Sequence, residues 1–333
     1  MSKLLDIKNL KILFQGDEGI VRAVEGVDIV VHEGEKVAIV GESGCGKSVT
    51  ALSCMKLLKE GTAHTAAERF DFVARDGTIH DLRTKTENEM LRLRAEEIAM
   101  IFQDPSTFLN PVMTIGEQLG EVFRYHRNMK SGEAKAAGIE MLRKVGIPDP
   151  EMRMKQYPHE LSGGLKQRIL IAMATALSPR LLIADEPTTA LDVTIQAQIL
   201  RLIHERCEKE NMALLMITHD LGVVREMADR VYVMYCGKIV EQGTVDEILH
   251  APQHPYTKAL IDTIPGMEKK VSRFVQIPHN VPNPMHKPQG CYFSNRCAYC
   301  TGLCKKQMPP LMDRGGRKVR CYYTAEELWK KLS

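Results

Sequence analysis

An apolar strand, Lys36-Val-Ala-Ile-Val40, runs straight into Gly41-Glu42-Ser43-Gly44-Cys45-Gly46-Lys47-Ser48, and apolar residues at helical spacing follow as far as Leu58. The pattern Gly-x4-Gly-Lys-Ser requires a strand that ends in a glycine-rich turn and a helix that begins at it. The glycines let backbone N–H groups wrap phosphate oxygens, and the helix N-terminus adds its positive end. Lys47 would neutralise β/γ charge, and the Ser48 hydroxyl can ligate Mg²⁺. Gly41, Ser43, Gly44, Cys45, Gly46, Lys47, Ser48 and Val49 are thus expected to hold a nucleotide, with the Cys45 side chain incidental. The loop alone says no more than that.

The surrounding pattern is α/β. Residues 5–14, 21–31 and 36–40 read as strands, with Gly16, Gly19, Gly26 and Gly34 as turns. Residues 60–100 are polar, with one alternating stretch at Phe70–Val73 and a charged helix from Thr86 to Glu97. Helices are expected over 115–127 and 134–145. From 167 to 250, helices alternate with the apolar strands 181–184, 213–217 and 231–235, which implies a parallel sheet covered by helices. After His250 proline recurs, at 252, 255 and 265 among others, and suggests an extended linker.

Composition excludes some classes. The chain has 333 residues and a net charge of +3, which gives no whole-chain basic signature for nucleic acid. No apolar run reaches the ~18–20 residues of a membrane span, and the first residues carry no hydrophobic signal region. The expectation is a cytosolic protein that needs integral partners to work at a membrane.

Other motifs add chemistry. Leu181-Leu-Ile-Ala-Asp185-Glu186 is an apolar strand ending in two acids. Asp185 would orient Mg²⁺, and Glu186 would polarise an attacking water. Gln103, in Met100-Ile-Phe-Gln103-Asp-Pro, can offer a carbonyl to Mg²⁺ or water. His219, in Ile217-Thr-His219-Asp220, ends another buried strand and could reach a γ-phosphate. Between these lies Tyr157-Pro158-His159-Glu160-Leu161-Ser162-Gly163-Gly164-Leu165-Lys166-Gln167-Arg168.

Taken in order, these elements resemble ATP-binding cassette ATPases over about residues 5–250. The resemblance implies a P-loop ABC ATPase fold: a RecA-like core, an N-terminal antiparallel β subdomain, and an α-helical signature subdomain at about 104–170. It makes Gln103 the Q-loop, residues 161–164 the signature, Ala190-Leu-Asp192 the D-loop and His219 the switch. It implies Lys47, Gln103, Glu186 and His219 as catalytic residues, with Ser48, Gln103 and Asp185 holding Mg²⁺. Ser162, Gly163 and Gly164 would contact ATP bound to another subunit, beside Asp192. Leu165 departs from the glutamine often found there. Phe14, the only aromatic in the N-terminal strands, is the candidate for stacking on adenine, although the hairpin from Gln15 to Arg22 is longer than in many members.

The last third narrows the resemblance. His254-Pro-Tyr-Thr-Lys-Ala-Leu260, Ile264-Pro-Gly266 and Gly290-Cys-Tyr-Phe-Ser-Asn-Arg-Cys297 look like the ATPase subunits of oligopeptide/dipeptide permeases, a group that includes nickel and metallophore importers. So does the stretch from Phe102 to Thr114. The resemblance divides the chain into a nucleotide-binding domain, 1–250, and an extension, 251–333, with a Cys-rich metal-cluster segment. Five of the nine cysteines fall between Cys291 and Cys321, which in a reducing cytosol argues for metal over disulfides. Cys291, Cys297, Cys304 and Cys321 match positions that carry a [4Fe–4S] cluster in that group. Cys297-x2-Cys300 also suits zinc. From Met285 onward ten Lys/Arg face three Asp/Glu, a surplus of the sign that would offset such a cluster.

The implied partners are a second, homologous ATPase in a heterodimer, two integral membrane permease subunits and an extracytoplasmic solute-binding protein, with no nucleic acid. The implied place is the cytoplasmic side of the cell membrane, peripherally bound. Helix 115–127 and the loop from Gln103 to Thr114 are the expected docking surface. The implied function is ATP hydrolysis that powers peptide import. Nickel or metallophore import is the alternative, and a soluble cassette acting on nucleic acid or ribosomes is a distant one.

Overall fold

The structure is a computed structural model that describes residues 2–16, 19–59, 61–189, 191–263, 277–278 and 280–329. Ala190, Ile264-Pro-Gly266 and the tip of the Gln15–Arg22 hairpin lie outside the described residues. Strands β1 (Lys3–Gly16) and β2 (Gly19–His32) form a long antiparallel hairpin. Strand β3 (Lys36–Val40) then enters a second sheet. Strands β4 (Ala63–Ala66), β5 (Arg69–Val73) and β6 (Ile79–Asp81) return to the first: β4 and β5 pair with β1, and β6 with β5.

The second sheet adds β7 (Ile98–Ile101), β8 (Leu181–Asp185), β9 (Ala213–Thr218), β10 (Arg230–Tyr235), β11 (Lys238–Thr244), β12 (Met312–Arg314) and β13 (Arg317–Val319). Its order is β12-β13-β11-β10-β3-β9-β8-β7. From β10 to β7 the pairing is parallel, and β11, β13 and β12 continue it antiparallel. Strands β7, β8 and β9 are buried at every residue, as expected where both faces of a parallel sheet are covered.

Between β7 and β8 a helical region packs Leu119, Phe123, Leu142 and Ile169 into an apolar core that it shares with one face of β7, β8 and β9. Helix Ile115–Arg127 starts at a capping box: Thr114 caps it and Glu117 reaches back to Thr114. Helix Ser131–Lys144 follows, and helix Gly163–Thr175 begins at Ser162.

Two expectations need correction. The charged stretch forms only the short helix Glu87–Leu93, and after Glu97 the chain enters strand β7 at the sheet edge. The residues after His250 are not an extended linker throughout. His254 caps helix Pro255–Asp262, with Pro255 at its first turn, where a missing N–H costs no intrahelical bond.

Candidate nucleotide site

The loops that follow β3, β9, β8 and β7 leave the carboxyl ends of four adjacent parallel strands, where open α/β sheets place their ligands. They converge on a cleft of about 670 Å³. Gly41, Glu42, Ser43, Gly44, Gly46, Lys47, Ser48 and Val49 line one side, and Gln103, Glu186 and His219 the other. The turn can be made only by glycine at its tightest points. A Cβ on Gly41 would strike the Met234 carbonyl oxygen, and one on Gly46 (φ +106°) would lie 2.6 Å from the Ala23 carbonyl.

Lys47 is almost fully buried, and its ammonium donates to the carbonyls of Gly41 at 2.8 Å and Glu42 at 3.2 Å. The Ser48 hydroxyl donates to Asp185 Oδ1 at 2.9 Å. Burial raises the Asp185 carboxyl above its usual range, and the Ser48 bond partly opposes this. A nearly buried carboxyl joined to a hydroxyl is a donor set for a hard divalent cation. Ser48 and Asp185 therefore fit Mg²⁺, with Gln103 across the cleft as a further oxygen donor.

Glu186 is the centre of the opposite wall. Gln103 Nε2 donates to its Oε2 at 3.3 Å, Thr189 Oγ1 donates to the same oxygen at 3.0 Å, and His219 Nδ1 lies 3.3 Å from Oε1. Its backbone is left-handed, at φ +44°, and its N–H donates to the Ile217 carbonyl at 2.9 Å. A non-glycine residue in that region is strained and persists only where its surroundings enforce it. Sequence reasoning missed Thr189.

Other expected residues lie elsewhere. Cys45 is buried beneath the loop, and burial pushes its thiol up to about 11. Phe14 packs against the core under the N-terminal sheet and is not among the cleft-lining residues. The apolar members of the lining are instead Ala23, Val49 and Leu260. Leu260, on helix Pro255–Asp262, carried no signal of its own in the sequence. Ser162, Gly163 and Gly164 do not line the cleft. Ser162 caps helix Gly163–Thr175, accepting the Leu165 N–H at 3.5 Å, and Asp192 caps helix Val193–Glu210, accepting the Ile195 N–H at 3.0 Å.

The cysteine segment departs from expectation. Cys291, Cys297, Cys300, Cys304 and Cys321 are near enough to bear on one another electrostatically, and the Cys291 N–H donates to the Cys304 carbonyl at 2.7 Å. The backbone N–H groups of Phe293, Tyr299 and Tyr323 act against the burial shift of Cys291, Cys297 and Cys321 in turn. Yet among the described residues no three His, Cys, Asp or Glu side chains are gathered so as to hold a metal ion. The expected [4Fe–4S] or zinc ligand set is therefore not formed. Burial pushes the Cys291 and Cys297 thiols up to about 12 and raises those of Cys300 and Cys321. The basic surplus is also engaged elsewhere. Lys287 pairs with Glu25, Arg296 with Glu42 and Arg317 with Glu241, while Arg320 donates to the carbonyls of Ile239 and Pro309.

Comparison with known proteins agrees with this geometry. The model of the family described as "ABC transporter" matches residues 24–189, and "Oligopeptide/dipeptide transporter, C-terminal region" matches residues 240–304. The oligopeptide transport ATP-binding protein AppD of Bacillus subtilis is 48% identical, over 98% of this chain and 98% of that protein. The dipeptide transport ATP-binding protein DppD of Escherichia coli is 45% identical, over 97% and 98%. A solved dimer of the ATP-binding cassette MJ0796, in a post-hydrolysis state bound to ADP and Pi, superposes with a TM-score of 0.61 at 26% identity, over 73% of this chain and 99% of that one. The phosphate loop, the acid pair and the near full-length likeness lead to one conclusion: this chain belongs to the ABC transporter ATP-binding proteins and carries the C-terminal region of their oligopeptide/dipeptide branch.

Proposed function

We propose that this chain is the ATP-hydrolysing subunit of a peptide importer, bound peripherally at the cytoplasmic face of the membrane. The observation that carries the reading is the convergence of Lys47, the Ser48–Asp185 pair and the Gln103–Glu186–His219 group on one cleft. Among the described residues no helix is long and apolar enough to cross a membrane, so transport would need separate permease subunits. The relatives named for oligopeptide and dipeptide transport support a peptide cargo. A nickel or metallophore cargo is the alternative, and the choice would lie with the permease and solute-binding subunits.

In this reading the loop N–H groups and Lys47 hold the β- and γ-phosphates. Ser48, Asp185 and Gln103 would hold Mg²⁺, which would supply positive charge to the phosphate oxygens. Glu186 draws a proton from a water as its oxygen bonds to the γ-phosphorus and the bond to ADP breaks. His219 and Gln103 hold the Glu186 carboxylate in register. Ser162, Gly163 and Gly164 form the N-terminus of helix Gly163–Thr175, outside the chain's own cleft, which supports their contacting ATP on a second subunit. That subunit would be a homologous partner ATPase, so each active site would be shared. Replacing Glu186 with Gln should lower turnover of the assembled transporter by about 10²-fold or more. Unchanged turnover would remove Glu186 as the base. The isolated chain should turn over ATP far more slowly than the assembly.

A [4Fe–4S] cluster on Cys291, Cys297, Cys304 and Cys321, or zinc in its place, is the finer part of this proposal. It is supported by the nearness of the thiols and by backbone N–H groups that favour the thiolate form of three of them. It requires the sulfurs to draw together. Iron, sulfide and visible absorbance of anaerobically purified protein test it, and a colourless protein without bound metal would refute it.

A further inference from the structure

The cysteine-bearing segment reaches back to the phosphate loop through one side chain. Arg296 precedes Cys297 in sequence, yet its guanidinium points away from the thiols, into the body of the cassette. Nη1 donates to Glu42 Oε2 at 2.6 Å and Nη2 to Glu42 Oε1 at 2.9 Å, a two-pronged pair. Nη1 also reaches Tyr235 Oη at 3.2 Å, and Nε donates to the Pro278 carbonyl at 2.9 Å. The Arg296 side chain is only 3% exposed. It sits among Tyr235 and Phe293, with its charge over both rings.

Glu42 is the second residue of the loop that wraps the phosphates, and the extension holds it twice. Its backbone N–H donates to the hydroxyl of Tyr256 at 2.9 Å, and Tyr256 is fully buried on helix Pro255–Asp262. Its carbonyl receives the Lys47 ammonium at 3.2 Å. One residue thus meets Tyr256 through its N–H, Lys47 through its carbonyl and Arg296 through its carboxylate. The loop shape at the end where Lys47 bonds depends on where Glu42 is pinned. Beside Gly41, Met234 and Cys45 fill the space that a Cβ would take, so that flank of the loop is closed to movement toward them. A displaced Glu42 would therefore carry the Lys47 contact with it.

We propose that Arg296 is a positioning residue of the nucleotide site, acting from the cysteine segment through Glu42 to set the phosphate loop for ATP. The inference rests on the reading of this cleft as the ATP site. It makes the segment part of nucleotide binding, and any rearrangement of the chain at Cys297 is transmitted to the loop by its neighbour.

The test is a comparison of KM for ATP and kcat in the assembled transporter. Arg296→Ala should raise KM about tenfold, the scale of one charge-assisted contact, and lower kcat far less, because Arg296 touches no reacting group. Arg296→Lys keeps the charge without the fork and should fall between. Glu42→Gln should also raise KM, and adding it to Arg296→Ala should cost little more, since each acts through the other. An unchanged KM in Arg296→Ala, or a drop in kcat alone that tracks lost folded protein, overturns the proposal. So does full additivity of the two substitutions. Lys47→Ala separates the readings: if it too leaves KM unchanged, the cleft is not the ATP site, whereas if it abolishes turnover and Arg296→Ala has no effect, only the positioning role fails.

Discussion

His254 shows how much of one residue's role depends on burial. It is buried beside Phe293, and its Nδ1 accepts the Tyr256 N–H at 3.0 Å, so the ring caps a helix as a neutral acceptor. Desolvation, then the nearby Arg320 charge, depresses its pKa from 6.5 to about 3. The unfolded chain takes up a proton near 6.5 and the folded chain does not. The stability that depends on this difference is complete above about pH 6.5 and drains away as pH falls toward about 3. His254→Asn keeps a capping oxygen without a titrating ring. Denaturant midpoints at pH 7.5 and 5 should therefore differ less in the variant than in the parent, and equal differences would sink the idea. The residues proposed to carry the chemistry could be picked out in the sequence because phosphate, magnesium and water each demand a residue type at a set place, and Lys47, Ser48, Asp185, Gln103, Glu186 and His219 do lie together at one cleft. The cleft's apolar wall was not legible. Leu260 and Phe14 are both ordinary apolar side chains, and only tertiary packing places the first at the cleft and turns the second, on β1, against the core.

Among the elements, those with a pattern of their own could be read, the short apolar strands β3, β8, β9 and β10 included, and those without one could not. Helix Ile115–Arg127 appears within the limits its capping box and apolar spacing imply. Strand β7 is four residues, Ile98-Ala-Met-Ile101, joined to a charged run, too short for any period to show. Pro255 reads as a breaker in a proline-rich stretch, yet at the first turn of a helix it is an opener. Helix Gly163–Thr175 raises a separate question, because Ser162 has a structural task that competes with the functional one. Its capping bond is long, 3.5 Å, so Ser162→Ala should cost about 1 kcal/mol of stability or less. If the hydroxyl also meets ATP on a second subunit, turnover of the assembled transporter should fall roughly tenfold or more, out of proportion to the stability change. Thermal melts and turnover measured on the same preparation distinguish the two, and a matched small loss in both would leave Ser162 as a cap alone.

For the molecule as a whole, the C-terminal third is built into the cassette's sheet. Strand β13 pairs with β11, and β12 with β13. Glu241, fully buried on β11, accepts Arg317 Nη2 at 2.8 Å and the N–H groups of Gln253 at 2.8 Å and His254 at 2.9 Å. A chain cut after His250 would keep that carboxylate without these partners and would uncover Tyr235 and Val240. Breaking a buried pair on one side costs about 3–5 kcal/mol, a large share of a domain's net stability. The truncated chain should be insoluble or melt far below the parent, and a soluble fragment that still binds ATP would show that the sheet closes without β13. The buried Glu241 also sets an order of events at the ribosome. β10 and β11 emerge early, but the arginine that neutralises their acid arrives some 76 positions later. At roughly 5–20 residues per second the nascent sheet waits several seconds with an unmatched charge at its edge, and through that interval it is a natural client for chaperones.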